Sequence, residues 1–246
     1  MSDFADRGPQ IVPIKALDCR LEPIPWAFAE ENGPAIAANW QKFVTDKPAS
    51  FNGRVLLQHR WSLQDGVYTG RYLETDYASF IAWLNSGHPG VAMRNGFSMA
   101  ALRARDGAYL LGVMGAGTAN AGKIYFAAGT PDREDLRPDG TIDLAGSVLR
   151  EMSEETGLMP DEVSVLPEWT GVIHGVRAAF MRPVLIDLPA EEARKLILAR
   201  LPTLHEEELS DIYIARGPED IDPVRMPPFQ VAYLRAMFAG GASDQG

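Results

Sequence analysis

A single cysteine, Cys19, stands among 246 residues, so no internal disulfide can staple this chain. That scarcity fits a reducing compartment, and Cys19 reads more readily as a buried, inert thiol than as a reactive one. Also missing is any apolar run long enough to span a membrane. The opening residues, MSDFADRGPQ, place acids and a proline where a signal peptide needs an apolar stretch. They predict a cytoplasmic protein rather than an exported one. Basic residues are in short supply: 23 Lys plus Arg face 33 Asp plus Glu, a formal net charge of −10. A field of that sign repels polyanions and argues against nucleic-acid binding. It leaves small phosphorylated ligands open, because divalent cations can bridge carboxylates to phosphates.

What is present is an ordinary globular composition, 46% hydrophobic and 23% charged. Apart from the tail FAGGASDQG, which reads as frayed, there is no low-complexity block and no repeat. The pattern divides near residue 95. Before it, IVPIKALDCRLEP reads as one or two strands, and WAFAEENGPAIAANWQKFV as a helix interrupted at Asn32-Gly33-Pro34. A hairpin follows with its turn at Asp65-Gly66, then a short helix stopped by Gly87. This stretch, 1–95, is expected to form a small α/β domain. After the connector Ser86 to Gly96 comes a second hairpin turning at Asp106-Gly107, and KIYFAAG reads as a strand ending at Gly129. A polar loop, a helix over about 143–156, strands in VSVLPEWTGVI and AAFMRPVLIDL, and the amphipathic EEARKLILARL come next. IYIAR and a closing helix in PPFQVAYLRAMF complete 96–246. Such alternation predicts an α/β (α+β) sandwich, with helices on the faces of sheets.

The helix over 143–156 carries the chemistry. At roughly 100° per residue, Ala145, Val148, Leu149 and Met152 share an apolar arc. Glu151, Glu154 and Glu155 lie together on the neighbouring arc. Like charges at these spacings cost a helix about 0.2–0.5 kcal/mol per pair. Gly157 and Pro160 end the helix just beyond, so the cluster faces the unfavourable end of the dipole. Both local effects oppose these carboxylates, and a bound divalent cation reverses the balance. The plain alternative is a solvated acidic face, which spacing alone does not exclude.

The string Arg150-Glu151-Met152-Ser153-Glu154-Glu155-Thr156-Gly157-Leu158 resembles the core of the Nudix box, R-E-U-x-E-E-x-G-U, at every defined position when Met152 is taken as the aliphatic U. The resemblance implies a Nudix α/β/α sandwich following the small domain. It further implies a hydrolase using Mg²⁺ or Mn²⁺ to cleave a nucleoside diphosphate linked to another moiety. Carried over by position, Glu154 and Glu155 match the main metal ligands. Glu151 matches the third acid, ligand or base, and Arg150 the arginine that orients a glutamate. Phe51-Asn52-Gly53 with AGTPD and DLAGSVLREM is similar to the group acting on UDP-glucose and related UDP-sugars, although Phe51-Asn52-Gly53 is equally well a turn before a strand. Members of the family often dimerise.

The upstream half departs from the pattern. Where the box has a further glutamate, this chain has Ile142, and the glycine counterpart, Gly129, is too distant. An insertion within REDLRPDG accounts for both. The resemblance then gives Gly129 a carbonyl for the metal and makes Asp132 the acid following the glycine. Elsewhere, Arg177 is expected either to hold a substrate phosphate or to be a plain hairpin arginine. Glu206, Glu207 and Glu208 are each a candidate extra ligand or part of a solvated acidic loop. GVMGAGTANAG lacks the lysine and following helix of a phosphate loop, and reads as a connection. His59 and His88 have no partners at ligand spacing and read as structural.

Overall fold

The computed structural model describes residues 8–241 except 49, 91, 119, 206 and 207. The chain opens with β1 (Gln10–Ile14) and β2 (Ala16–Leu21), followed by α1 (Ala27–Glu31) and α2 (Gly33–Asp46). The break between the two helices falls at Asn32, with Pro34 in the first turn of α2. Next come the long hairpin strands β3 (Arg54–Gln64) and β4 (Val67–Asp76). Asp65 (φ 53°) and Gly66 (φ 83°) are both left-handed, the two-residue turn that matches strand twist. β2 joins β4 in parallel to complete a three-stranded sheet. The helix α3 (Tyr77–Asn85) starts where the Asp76 side chain accepts from the Ser79 N–H.

The second sheet contains β5 (Asn95–Ala104), β6 (Tyr109–Met114), β7 (Ile124–Tyr125), β8 (Val163–Val165), β9 (Trp169–His174), β10 (Arg177–Ile186) and β11 (Leu209–Ala215). Its order is β1-β9-β10-β5-β6-β11, with β7 beside β6 and β8 beside β10. Thus β1, from the N-terminal stretch, is hydrogen-bonded into this larger sheet against β9. The parallel pair β5 and β10 forms its centre. Three helices cover it: α4 (Leu144–Thr156), α5 (Ala190–Arg200) and α6 (Pro228–Gly241).

Alternation along β5 explains the layering. Ala100, Leu102 and Ala104 face Val148 and Met152 of α4 and Ile197 of α5. Phe97, Met99 and Ala101 face Phe229, Tyr233 and Leu234 of α6. Each large side chain removed from water in this way contributes roughly 1.5–3 kcal/mol. The molecule is therefore an α+β sandwich with helices on both faces of its main sheet. The small sheet is not separate from this core. Its Cys19, Leu56, Tyr68 and Tyr72 pack into the same cluster as α4, while Val55, Leu57 and Leu73 pack on Trp26, Phe80 and Trp83.

KIYFAAG pairs as a strand only at Ile124 and Tyr125, shorter than its composition predicts. Side chains from two helices capture the donors beyond. Phe126 N–H goes to Gln230 Oε1 at 3.3 Å and Ala128 N–H to Glu155 Oε1 at 2.8 Å. The polar loop after it is also ordered. Leu136 bridges Ile142 in a miniature hairpin that lies on β2, with Leu21 N–H on Gly140 O and Ile142 N–H on Cys19 O, both 2.9 Å.

Candidate active site

The helix α4 starts at Asp143, whose Oδ1 accepts the Gly146 N–H at 2.9 Å, and stops at Gly157 in the left-handed conformation (φ 70°). Burying Val148, Met152 and Leu158 fixes its rotation, and this turns Glu151 and Glu155 toward the loop carrying Ala128 and Gly129. Glu155 is buried, held by the Ala128 N–H. Glu151 lies against Gly129, where a Cβ would collide with its carboxylate. Glu154 is on the outer side, its side chain 55% exposed.

Arg150 links the acids. Its Nη2 is 2.9 Å from Glu151 Oε1 and 2.9 Å from Asp135 Oδ1, and its Nη1 is 3.0 Å from Glu154 Oε2. Desolvation of the guanidinium works against its charge but is outweighed by the Asp135 hydrogen bond and the three carboxylates, so its proton is held more tightly than usual. Even so, one cation does not neutralise the group. Burial pushes the Glu151 carboxyl up to about 7, against the pull of Arg150 and with Glu154, Asp135 and Glu208 adding repulsion. Burial also raises Glu155 well above the carboxylate range, reinforced first by Glu208.

Beside the acids a cleft of about 590 Å³ opens between the two sheets' loops, lined among others by Phe51, Tyr77, Tyr125, Thr130, Asp132 and Glu208. Phe51 is 77% exposed at its edge. The Phe51-Asn52-Gly53 string leads into β3 without forming a regular turn, and Asn52 Oδ1 accepts the Ala78 N–H at the start of α3.

These carboxylates fit a hard divalent cation in donor chemistry: all are oxygen ligands, they repel one another, and the missing Cβ of Gly129 leaves backbone beside Glu151. The described residues contain no ready cluster of three acidic, histidine or cysteine side chains converging on one point. Glu151 and Glu154 are engaged with Arg150, and Glu155 with the Ala128 amide.

Among the sequence candidates, the structure brings Arg150, Glu151, Glu154, Glu155 and Gly129 together. Asp132 lines the cleft but turns its Oδ1 to the Glu134 N–H. Arg177 is not itself among these lining residues; exposed at the start of β10, it stands opposite Asn95, whose Nδ2 donates to the cleft residue Thr130. Glu208 lines the cleft, whereas Glu206 and Glu207 lie outside the described residues. His59 Nε2 is 2.9 Å from Glu22 and His88 packs on Trp83, both away from the acids. Sequence reasoning missed Asp135. A usable signal was present: Pro138-Asp139-Gly140 is a turn between the apolar Leu136 and Ile142, which marks a small hairpin rather than an open loop.

No family model and no curated protein matches the chain. Solved structures do align with it. The Nudix hydrolase RenU from M. smegmatis does so at 15% identity and a TM-score of 0.41, over 62% of this chain and 91% of that one. A C. elegans Ap4A hydrolase binary complex aligns at 11% identity and a TM-score of 0.43, over 60% of this chain and 98% of that one. The MutT protein from Methanosarcina mazei Go1 aligns at 15% identity and a TM-score of 0.36, over 60% and 95% of the two chains. Likeness at this level does not place the chain in a family. Among the described residues no helix is long and apolar enough to cross a membrane.

Proposed function

We propose that this protein is a divalent-cation-dependent hydrolase of the Nudix type, cleaving the pyrophosphate bond of a nucleoside diphosphate derivative, a nucleotide sugar foremost. The observation that carries this reading is the desolvated glutamate face of α4, joined to the cleft wall by the Ala128 N–H on Glu155: Glu155 buried, Glu151 pushed up to about 7, and Arg150 unable to offset them. A protein with no use for these charges gains by losing them. The match of Arg150 to Leu158 to the Nudix box supports the same conclusion.

In this reading Glu151, Glu154 and Glu155, with the Gly129 carbonyl, hold Mg²⁺ or Mn²⁺. When bound, the cation activates water and neutralises charge on the phosphoryl group being transferred. Arg150 aligns Glu151 and Glu154 through the two arms of its planar fork. Glu151, desolvated and with a proton affinity close to neutrality, is suited to accept the proton of the attacking water. Phe51, Tyr77 and Tyr125 give the cleft an aromatic wall for the nucleobase, so the N-terminal unit takes part in substrate binding. Arg177, exposed on β10, is assigned to the outer phosphate or sugar.

The test is a screen of UDP-, ADP- and CoA-linked substrates with Mg²⁺ and with Mn²⁺, run on the wild type and on Glu154→Gln/Glu155→Gln. Metal-dependent release of a nucleoside monophosphate, lost in the folded double variant, is expected. Undiminished turnover in that variant overturns the assignment. Ligand-induced stabilisation without hydrolysis under any metal points instead to a non-catalytic binding module.

A further inference from the structure

We propose that Asp135 is the positioning acid of this site, acting through Arg150, and that the small N-terminal sheet holds it in place. The inference rests on the hydrolase reading above. Asp135 is one of the few buried charged residues, with its side chain only 2% exposed. A carboxylate so placed is stable only with firm partners. It has two: Arg150 Nη2 at 2.9 Å on Oδ1 and the Asp132 N–H at 3.1 Å on Oδ2. Its backbone carbonyl accepts the N–H of Asp143, the cap of α4, at 2.7 Å. The side chain and the backbone of Asp135 therefore both reach α4.

The local effect is geometric. Arg150 Nη2 is shared between Asp135 and Glu151 while Nη1 serves Glu154, so the plane of the guanidinium is fixed by three anchors. Remove Asp135 and the whole positive charge falls on the two glutamates, free to swing with them and to compete for the carboxylates with a cation. Behind Asp135 is the hairpin from Leu136 to Ile142, tied to β2 by Leu21 N–H on Gly140 O and Ile142 N–H on Cys19 O. Ile142, which occupies the glutamate position of the box, is buried in the core next to this tie.

The experiment is a double-variant cycle with two readouts: kcat and KM on the hydrolysed substrate, and affinity for Mn²⁺ alone by electron paramagnetic resonance. Asp135→Asn is expected to lower kcat and weaken Mn²⁺ binding by about 10- to 100-fold each, with KM nearly unchanged. In an Arg150→Gln background the same substitution is expected to add less than about twofold, because both remove one linkage. Losses that multiply overturn the proposal, since a merely structural acid acts independently of Arg150. So does unchanged Mn²⁺ affinity in folded Asp135→Asn. Should that variant fail to fold, Arg150→Lys reports the linkage from the other side: it keeps the charge but cannot span three acids, and wild-type kcat and Mn²⁺ affinity in it overturn the proposal. A wild type that hydrolyses nothing refutes the hydrolase reading, while the Mn²⁺ cycle still judges Asp135.

Discussion

Gly129 and Glu151 occupy adjoining space so closely that a Cβ on the glycine would stand 2.5 Å from Glu151 Cδ. Glu151 is one of the three carboxylates held by Arg150, so a shift of its carboxylate disturbs that pairing. Gly129→Ala is therefore expected to displace the carboxylate rather than unfold the chain. A shift of about 1 Å in a reacting group can cost about 100-fold in rate, and kcat is expected to fall on that scale. Steady-state kinetics with a thermal melt checks this; an active Gly129→Ala protein shows that Glu151 needs no such confinement.

Glu155→Gln separates stability from activity. The native carboxylate is buried, and burial and Glu208 both oppose its charge. In chelator-treated protein the neutral variant is expected to melt at or above the wild-type temperature. Its turnover is expected to fall by more than about 100-fold. Denaturation scans in EDTA and assays in Mg²⁺ check the two halves, and a strongly destabilised variant contradicts the account of Glu155.

The metal-free protein is expected to become more stable as pH falls from 8 to 5. Glu151 has a folded value of about 7 against an ordinary 4.5, so the folded state binds the proton more tightly. Its contribution is fully present below 4.5 and lost as pH rises through 7, on the order of 3 kcal/mol. Glu162, lowered to about 2 by Arg200, acts in the opposite sense but only below 4.5, outside this window. Added Mg²⁺ is accordingly expected to raise Tm more at pH 8 than at pH 5.5. A metal effect equal at both pH values argues against cation binding at these carboxylates.

Phe51→Ala is expected to raise KM while leaving kcat near wild type, because Phe51 lines the cleft at its exposed edge. Stacking of a base on an aromatic ring contributes about 1–3 kcal/mol, or roughly 5- to 160-fold in KM. An unchanged KM for a nucleotide substrate, together with a changed kcat, moves the base elsewhere.

Cys19 is expected to resist thiol reagents in the folded protein. It is 1% exposed, and burial pushes its thiol up to about 12, so thiolate is scarce at neutral pH. Modification by a chromogenic disulfide should follow unfolding in urea; rapid reaction in buffer contradicts the structure.

Much of the architecture was legible because its signals are local. Asp65-Gly66 and Asp106-Gly107 set hairpin turns, Gly157 sets a helix end, and the spacing of Val148 and Met152 sets the rotation of α4. The glutamate face followed from the same rotation. What escaped depends on distant partners. KIYFAAG looks like a strand until Gln230 and Glu155 take its donors. Asp135 looks like any acid in a polar loop until β2 and Arg150 close around it. These partners lie 15, 27 and 104 residues apart, beyond the reach of the local spacing that marks a turn or a helix face.

The tie between the 136–142 hairpin and β2 bears on how the protein can be re-engineered. Cutting the chain near residue 95 to obtain a minimal catalytic piece would strip β1 from the edge of β9 and leave the Ile142 N–H without the Cys19 carbonyl. Grafting a different N-terminal unit would meet the same obstacle, for the graft must offer a strand edge at that spot. The first 95 residues are thus a template on which the loop before α4 is cast, and any exchange of parts has to carry β2 and the hairpin together.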